Sequence, residues 1–312
     1  MKYSKNKKDL RRSVKSLNKS LILRLIIWLA LIFGIPALFD KFLSTSVGYN
    51  LFSFTSFLAV AILIYILYNR KLLAKEKIKQ NLNLALIFGV ISLASLFAYV
   101  YFKYLTNGQV SDVVSLTHIS LVMRGFFVIF SALAIFGVNI FRKTFISLIY
   151  TLTAVYLYFL FTLMAWTNWQ FFSERITKVA HFFLSLFYKD VSYVFNGDPL
   201  LKLNDFSVII GAPCSGIESL VFFITLFGLM VILDRDKINW KRASIVFILG
   251  LIGTYFLNAI RLSALMIIGL RWPDFAMGQF HSHSGWIMFA TFVLVLYWIT
   301  QKWMVKKEFR KK

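Results

Sequence analysis

Eight stretches of this 312-residue chain each hold close to 20 consecutive, mostly apolar residues, and no other feature constrains the fold as tightly. A helix rising about 1.5 Å per residue needs about 20 such residues to cross a hydrocarbon layer roughly 30 Å thick. In lipid the backbone groups must pair within the segment, so each stretch is read as α-helix. The stretches fall at about 21–39, 51–68, 82–102, 119–138, 144–165, 215–233, 243–262 and 285–301. The expected architecture is therefore an all-α, polytopic transmembrane bundle of about eight spans. Composition agrees: 59% of residues are hydrophobic and only 15% charged, against about 25% charged in soluble domains. An ordinary soluble domain is excluded.

The formal charge of +22 would point to nucleic acid in a soluble protein, but here the bases sit in runs between apolar segments. We expect the lipid bilayer as partner and no nucleic acid. Lys2, Lys5, Lys7, Lys8, Arg11, Arg12, Lys15 and Lys19 precede the first span. Arg70, Lys71, Lys75, Lys77 and Lys79, then Arg142 and Lys143, then Arg235, Lys237, Lys241 and Arg242, occupy alternate connections. Lys302, Lys306, Lys307, Arg310, Lys311 and Lys312 follow the last span. With eight alternating spans all of these fall on one side, which places both termini in the cytoplasm and the near-neutral loops outside the plasma membrane. The first apolar stretch is too long for a cleaved signal peptide and has no small-residue cleavage site after it, so it reads as a retained anchor. The expected organisation is a basic tail at 1–20, one transmembrane domain at 21–304 and a basic tail at 305–312.

The longest outside connection, about 166–213, has two parts. Trp169, Phe171, Phe172, Ile176, Val179, Phe182, Phe183 and Leu186, with Arg175 and Lys178, suggest an amphipathic helix in the outer interface. Asn196-Gly197-Asp198-Pro199 and then Phe206–Ile210 read as a turn and a short extended piece leading to Cys214.

Three polar features converge at the outer ends of the last three spans. Cys214 is the chain's one cysteine, so no intrachain disulfide can form. Ser215 and Glu218 stand in the S-x-x-E relation of a capping box, with Ser215 as the expected N-cap. Cys214 would then sit at the positive end of a helix, which favours the nucleophilic thiolate; a packing cysteine is the plain alternative. Asn258 and Arg261 share a helix face near the outer end of the seventh span. Apolar sequence continues on both sides of Arg261, so its charge is either functional and inward-facing or snorkelling. His281 and His283 open the eighth span and bring the usual proton shuttle. A histidine pair with one cysteine is also compatible with zinc, but no fourth ligand is evident, and no cofactor or metal is expected. His118 and His181 read as interface residues. Arg124 is a further intramembrane charge, with Asp112 or a lipid phosphate as conceivable partner.

Cys214-Ser215-Gly216, Asn258-x-x-Arg261 and His281-x-x-x-Gly285-Trp286, in this order at the outer ends of successive spans, resemble the exosortase/archaeosortase family over about 205–300. The resemblance implies a membrane cysteine protease and transpeptidase, analogous to sortases on an unrelated fold. The implied substrates are exported proteins ending in a short motif, a transmembrane helix and a basic tail. The new C-terminus would pass to a membrane acceptor such as a lipid or glycolipid. Cys214 would be the nucleophile, Arg261 the second catalytic residue and His281 the third, with His283 as a substitute and Asn258, Ser215 and Glu218 in support. The rival readings are a membrane glycan or lipid transferase and a transporter at the outer leaflet. A transporter usually shows repeated halves and broken helices near the midplane, neither of which is evident here.

Overall fold

The computed structural model describes residues 19–42, 51–75, 81–105 and 114–310. Most of the basic tail at 1–20, Lys77 and Lys79, the proposed Arg124 partner Asp112, and Lys311 and Lys312 lie outside the described residues. The helices are α1 (Lys19–Leu29), α2 (Ile35–Phe42), α3 (Leu51–Lys75), α4 (Leu82–Leu105), α5 (Val114–Phe136), α6 (Val138–Lys143), α7 (Phe145–Trp166) and α8 (Trp169–Ser185). A sheet of β1 (Val191–Val194), β2 (Leu200–Leu203) and β3 (Phe206–Ile209) follows. Then come α9 (Ile217–Leu233), α10 (Trp240–Gly269), α11 (Pro273–Phe275), α12 (His281–Met304) and α13 (Lys307–Arg310).

The fold is a helical, polytopic membrane fold, but the number of full-length spans differs from the eight expected. Among the described residues six helices are long and apolar enough to cross a membrane: Ser56–Leu73, Leu82–Leu105, Ile119–Phe136, Phe145–Ala165, Trp240–Gly269 and Pro273–Met304. The other two apolar helices, Leu21–Gly34 and Ile217–Leu233, are shorter. The first is interrupted by a π-helical turn at Ala30–Gly34. The second has 17 residues, about 25 Å of helix, just under the hydrocarbon thickness. The extended piece expected at Phe206–Ile210 is β3, while β1 and β2 were not expected, because strands of four residues are too short to show a period of two.

The chain divides into two compact units, residues 1–50 with 65–148, and residues 51–64 with 149–312. In the first, α4 packs along α5, and Trp28 Nε1 of α1 donates to Ser131 Oγ of α5 at 3.0 Å. Lys103 and Arg124, both buried, each hold their charge 5.8 Å from the centre of the Tyr99 ring.

The second unit carries the chemistry-bearing residues. At 30 residues, α10 is about 45 Å long, longer than the hydrocarbon is thick, so one helix serves both as a span and as a wall of the region beyond it. Close approach at its flanks depends on two glycines. A Cβ on Gly250 would lie 2.1 Å from the Phe223 ring of α9, and one on Gly269 would lie 2.1 Å from the Phe206 ring of β3. The predicted helix in the long connection is α8. Its inward stripe is Ser173, Ile176, Thr177, Ala180 and Leu184, at helical spacing, while Phe171 and Phe182 are exposed.

The strands form an antiparallel meander in the order β1-β2-β3. Gly197, at φ +87°, lies in the turn between β1 and β2. The two-residue turn from β2 to β3 holds Asn204 at φ +49°, a conformation asparagine tolerates better than most side chains. One face of the sheet joins Ile176, Ala180 and Leu184 of α8 and Leu262, Leu265 and Met266 of α10 in a cluster that includes Leu201, Leu203, Val208, Ile210 and Cys214. Cys214 thus stands at the edge of an apolar core.

Candidate active site

The loop that presents Cys214 is fixed by its own backbone. Pro213 is the second residue of the 3-10 turn Ala212–Cys214, in which its fixed φ is compatible and its missing N–H costs nothing. Cys214 N–H donates to Gly211 C=O at 3.0 Å, and Ser215 N–H to the same oxygen at 3.1 Å. Upstream, Ser173 Oγ of α8 donates to Ile210 C=O, tying the loop's entry to the helix beside it.

The helix start differs from the expected capping box. The residue at the N-cap is Gly216, at φ +84°, and α9 begins at Ile217. Ser215 is fully buried and pins the turn: its Oγ donates to Ala212 C=O at 2.7 Å and accepts from Ile217 N–H at 3.4 Å. Glu218 is therefore the second helical residue. Gly216 is required twice, by its positive φ and because a Cβ there would lie 2.6 Å from Asn258 Nδ2.

The four principal polar residues come together. Asn258, 1% exposed, donates from Nδ2 to Cys214 C=O at 3.1 Å, which fastens α10 to the cysteine loop. Arg261, 7% exposed, stands one turn further on and is held on all three nitrogens. Nε donates to Ser284 Oγ at 3.2 Å, one terminal nitrogen to Asn258 Oδ1 at 3.4 Å, and the other to His281 C=O at 2.9 Å. The guanidinium faces the protein interior and does not snorkel. Gly285 leaves it room, since a Cβ there would approach Cζ to 3.2 Å. A π-helical turn at Ala276–Phe280 delivers His281 to the first position of α12. There its Nδ1 lies 3.5 Å from Cys214 Sγ. With the thiol protonated, S–H donates to Nδ1 and the ring carries its own proton on Nε2.

His283 points elsewhere: its Nδ1 pairs with Gln279 C=O at 2.9 Å, in an exposed position. His181 is also apart, with Nε2 3.3 Å from Val191 C=O and its ring edge-on to Tyr193. His118 lies on α5, in the other unit. Ser284 was not singled out from the sequence, although its place three residues after His281 puts the two on one face of α12.

The electrostatics also differ from a simple helix-end thiolate. Burial pushes the Cys214 thiol up from its ordinary value, Arg261 pulls it down and Glu218 adds to the rise. Cys214 is 6% exposed, and Ser215 and Gly216 separate it from the helix whose end was expected to charge it. The arrangement presents a neutral thiol beside a proton acceptor, with a cation close by. Among the described residues no group of three or more His, Cys, Asp or Glu could hold a metal ion.

Fold and site together define a polytopic membrane protein with a buried cysteine and arginine and a half-buried histidine joined through one hydrogen-bonded cluster. The chain belongs to the transmembrane exosortase family, whose sequence profile matches residues 49–298. That match extends far beyond the 205–300 segment that carries the motifs, and supports a membrane transpeptidase in general terms. No curated protein and no solved structure matches the chain.

Proposed function

We propose that the protein is a cysteine transpeptidase of the plasma membrane that cleaves C-terminal sorting signals of exported proteins at the extracytoplasmic face. The observation that carries this reading is the 3.5 Å approach of Cys214 Sγ to His281 Nδ1 beside the immobilised Arg261 guanidinium.

In the proposed reaction Sγ attacks the scissile carbonyl carbon as its proton passes to Nδ1 of His281. The carbonyl π electrons move to oxygen, giving a tetrahedral oxyanion. Arg261 has five N–H donors, three of which are used in the bonds described, so two remain for that oxyanion. The backbone N–H of Cys214 is already bonded to Gly211 and is not the donor. Collapse of the intermediate breaks the C–N bond as His281 returns the proton to the departing amine. The substrate's N-terminal part is left as a thioester on Cys214. A hydroxyl or amine of a membrane lipid or glycolipid then attacks the thioester carbonyl, and its proton passes through His281 as the thiol is regenerated; water in that place gives hydrolysis. Asn258 and Ser284 position the arginine and touch no reacting atom.

The substrate's own spanning helix would hold its motif at the level of the site, and its basic tail would remain in the cytoplasm. The test is a reporter ending in a motif, a spanning helix and a basic tail, expressed with wild type or with Cys214→Ala. Uncleaved reporter accumulating only in the variant supports the reading; equal processing in both removes it.

A further inference from the structure

The strand that leads into the cysteine loop has one edge with no strand beside it among the described residues. Ile210 N–H donates to Pro199 C=O at 2.7 Å, which makes Pro199 and Ile210 a hydrogen-bonded pair in the antiparallel register. Such pairs alternate along the strands. Phe206 and Val208 therefore turn their N–H and C=O groups to β2, while Ser207 and Ile209 turn theirs away from the sheet. Among the described residues no partner is found for either group of Ser207 or for the N–H of Ile209; the Ile209 C=O accepts from Gly211 N–H at 3.2 Å. The opposite edge of the sheet is treated differently. The outward C=O of Val191 on β1 meets His181 of α8, and α8 packs along that strand. The β1 edge meets a helix through a hydrogen bond, whereas α10 packs on β3 through Phe206 and leaves the outward groups of Ser207 and the N–H of Ile209 unbonded among the described residues.

We propose that this edge of β3 is the substrate subsite, and that the extended segment of the exported protein at the cleavage point docks there as a fourth strand. The proposal rests on the peptidase reading above and deepens it. An extended peptide supplies what Ser207 and Ile209 lack, main-chain donors and acceptors at a spacing of two residues, and such pairing gives affinity without demanding one sequence. Side-chain selection would come from alternate positions. Ile209, 60% exposed, stands five residues before the cysteine and offers an apolar neighbour to the residue beside it. The strand is held firmly enough to serve as a template, by the Ile210 bond to Pro199, by the Ser173 bond to Ile210 and by Phe206 packed into the space at Gly269. A peptide seated on it is delivered along the chain direction that ends at Cys214.

Two experiments test the docking separately from the chemistry. In the first, Cys214→Ala protein, which then contains no cysteine, receives Ile209→Cys or Ser207→Cys. Each is coexpressed with a reporter of motif, spanning helix and basic tail that carries a single cysteine scanned through the motif. Oxidation should cross-link Ile209→Cys most strongly to one reporter position, with weaker links two residues to either side and none at the positions between, and Ser207→Cys to a maximum displaced by two. In the second, Ser207→Pro on the wild-type background removes one outward N–H without disturbing the bonds to β2. It should raise the apparent KM by about fivefold, the worth of one net hydrogen bond, with kcat and the rate of Cys214 thiol labelling unchanged. Cross-linking that is absent, or equal at consecutive positions, in a protein whose wild type cleaves the reporter overturns the strand proposal alone. Alternating cross-links in a protein that never cleaves support the strand and overturn the peptidase reading. Absence of both overturns both.

Discussion

Cys214 Sγ and His281 Nδ1 stand 3.5 Å apart across 67 residues of sequence, and the arginine beside them is bonded to the backbone carbonyl of that same histidine. One substitution at this cluster therefore disturbs two functions, proton transfer and charge stabilisation. This coupling sets the expected outcomes for the cluster.

His281→Ala should lower processing of the reporter by about 10²–10⁴-fold, the range for loss of a general acid and base. His283→Ala should process the reporter like wild type, because its ring turns to Gln279 and away from the thiol. Western blots of cleaved and uncleaved reporter compare the two. Equal loss in both variants would contradict the assignment to His281.

Arg261→Lys keeps a charge but cannot bond Ser284, Asn258 and His281 at once. It should cost at least about 10²-fold in kcat, the scale of losing an oxyanion donor. Ser284→Ala removes only the bond at Nε, and a smaller fall in kcat with unchanged KM is expected of a positioning residue. Full activity of Arg261→Lys would show that the arginine serves only as an anchor.

The pH dependence of Cys214 follows from its surroundings. Burial holds the thiol above its ordinary value and Arg261 opposes this, so the thiolate grows in only as pH rises past the usual thiol pKa of about 8.5. Removing the cation destabilises the thiolate, so Arg261→Gln should shift the labelling curve of a membrane-impermeant maleimide to higher pH. Glu218→Gln removes an anion that raises the thiol and should shift the curve down. Shifts in the opposite directions would show that these groups do not act on the thiol.

Gly216→Ala places a side chain at φ +84° and within 2.6 Å of Asn258 Nδ2. The backbone strain alone costs about 1–3 kcal/mol, and the displaced asparagine loses its hold on Cys214 C=O. Thermal unfolding in detergent should show a lower transition together with lost processing.

Much of the cluster could be read from the sequence because its residues are chemically conspicuous where they stand. Asn258 and Arg261 interrupt an apolar run at a spacing that gives one helix face, and a lone cysteine before a span and a histidine pair after one mark the ends of that layer. Other parts depend on neighbours that sequence does not show. Ser215 and Glu218 satisfy the capping-box pattern, yet Gly216 takes the cap because Asn258, 42 residues away, occupies the space a side chain would need. The thiol's rise depends on the core around Cys214, which a helix-end argument leaves out. Ser284 is one serine in a polar run until Arg261 is placed against it. The strands are four residues each, and only Phe206–Ile210 stood out as extended. Among the described residues six of the eight apolar stretches form helices of full spanning length, because hydropathy locates apolar stretches without showing where a π turn or a positive φ shortens the helix.

The central claim is that Cys214 becomes acylated by its substrate. Wild-type membranes containing the motif, helix and tail reporter, quenched during turnover and treated with hydroxylamine, test this directly. The account predicts an enzyme–reporter adduct that hydroxylamine releases with the reporter's N-terminal part as a hydroxamate, and that is missing from Cys214→Ala. Cleavage that proceeds without any hydroxylamine-labile adduct, and equally in Cys214→Ala, would contradict it.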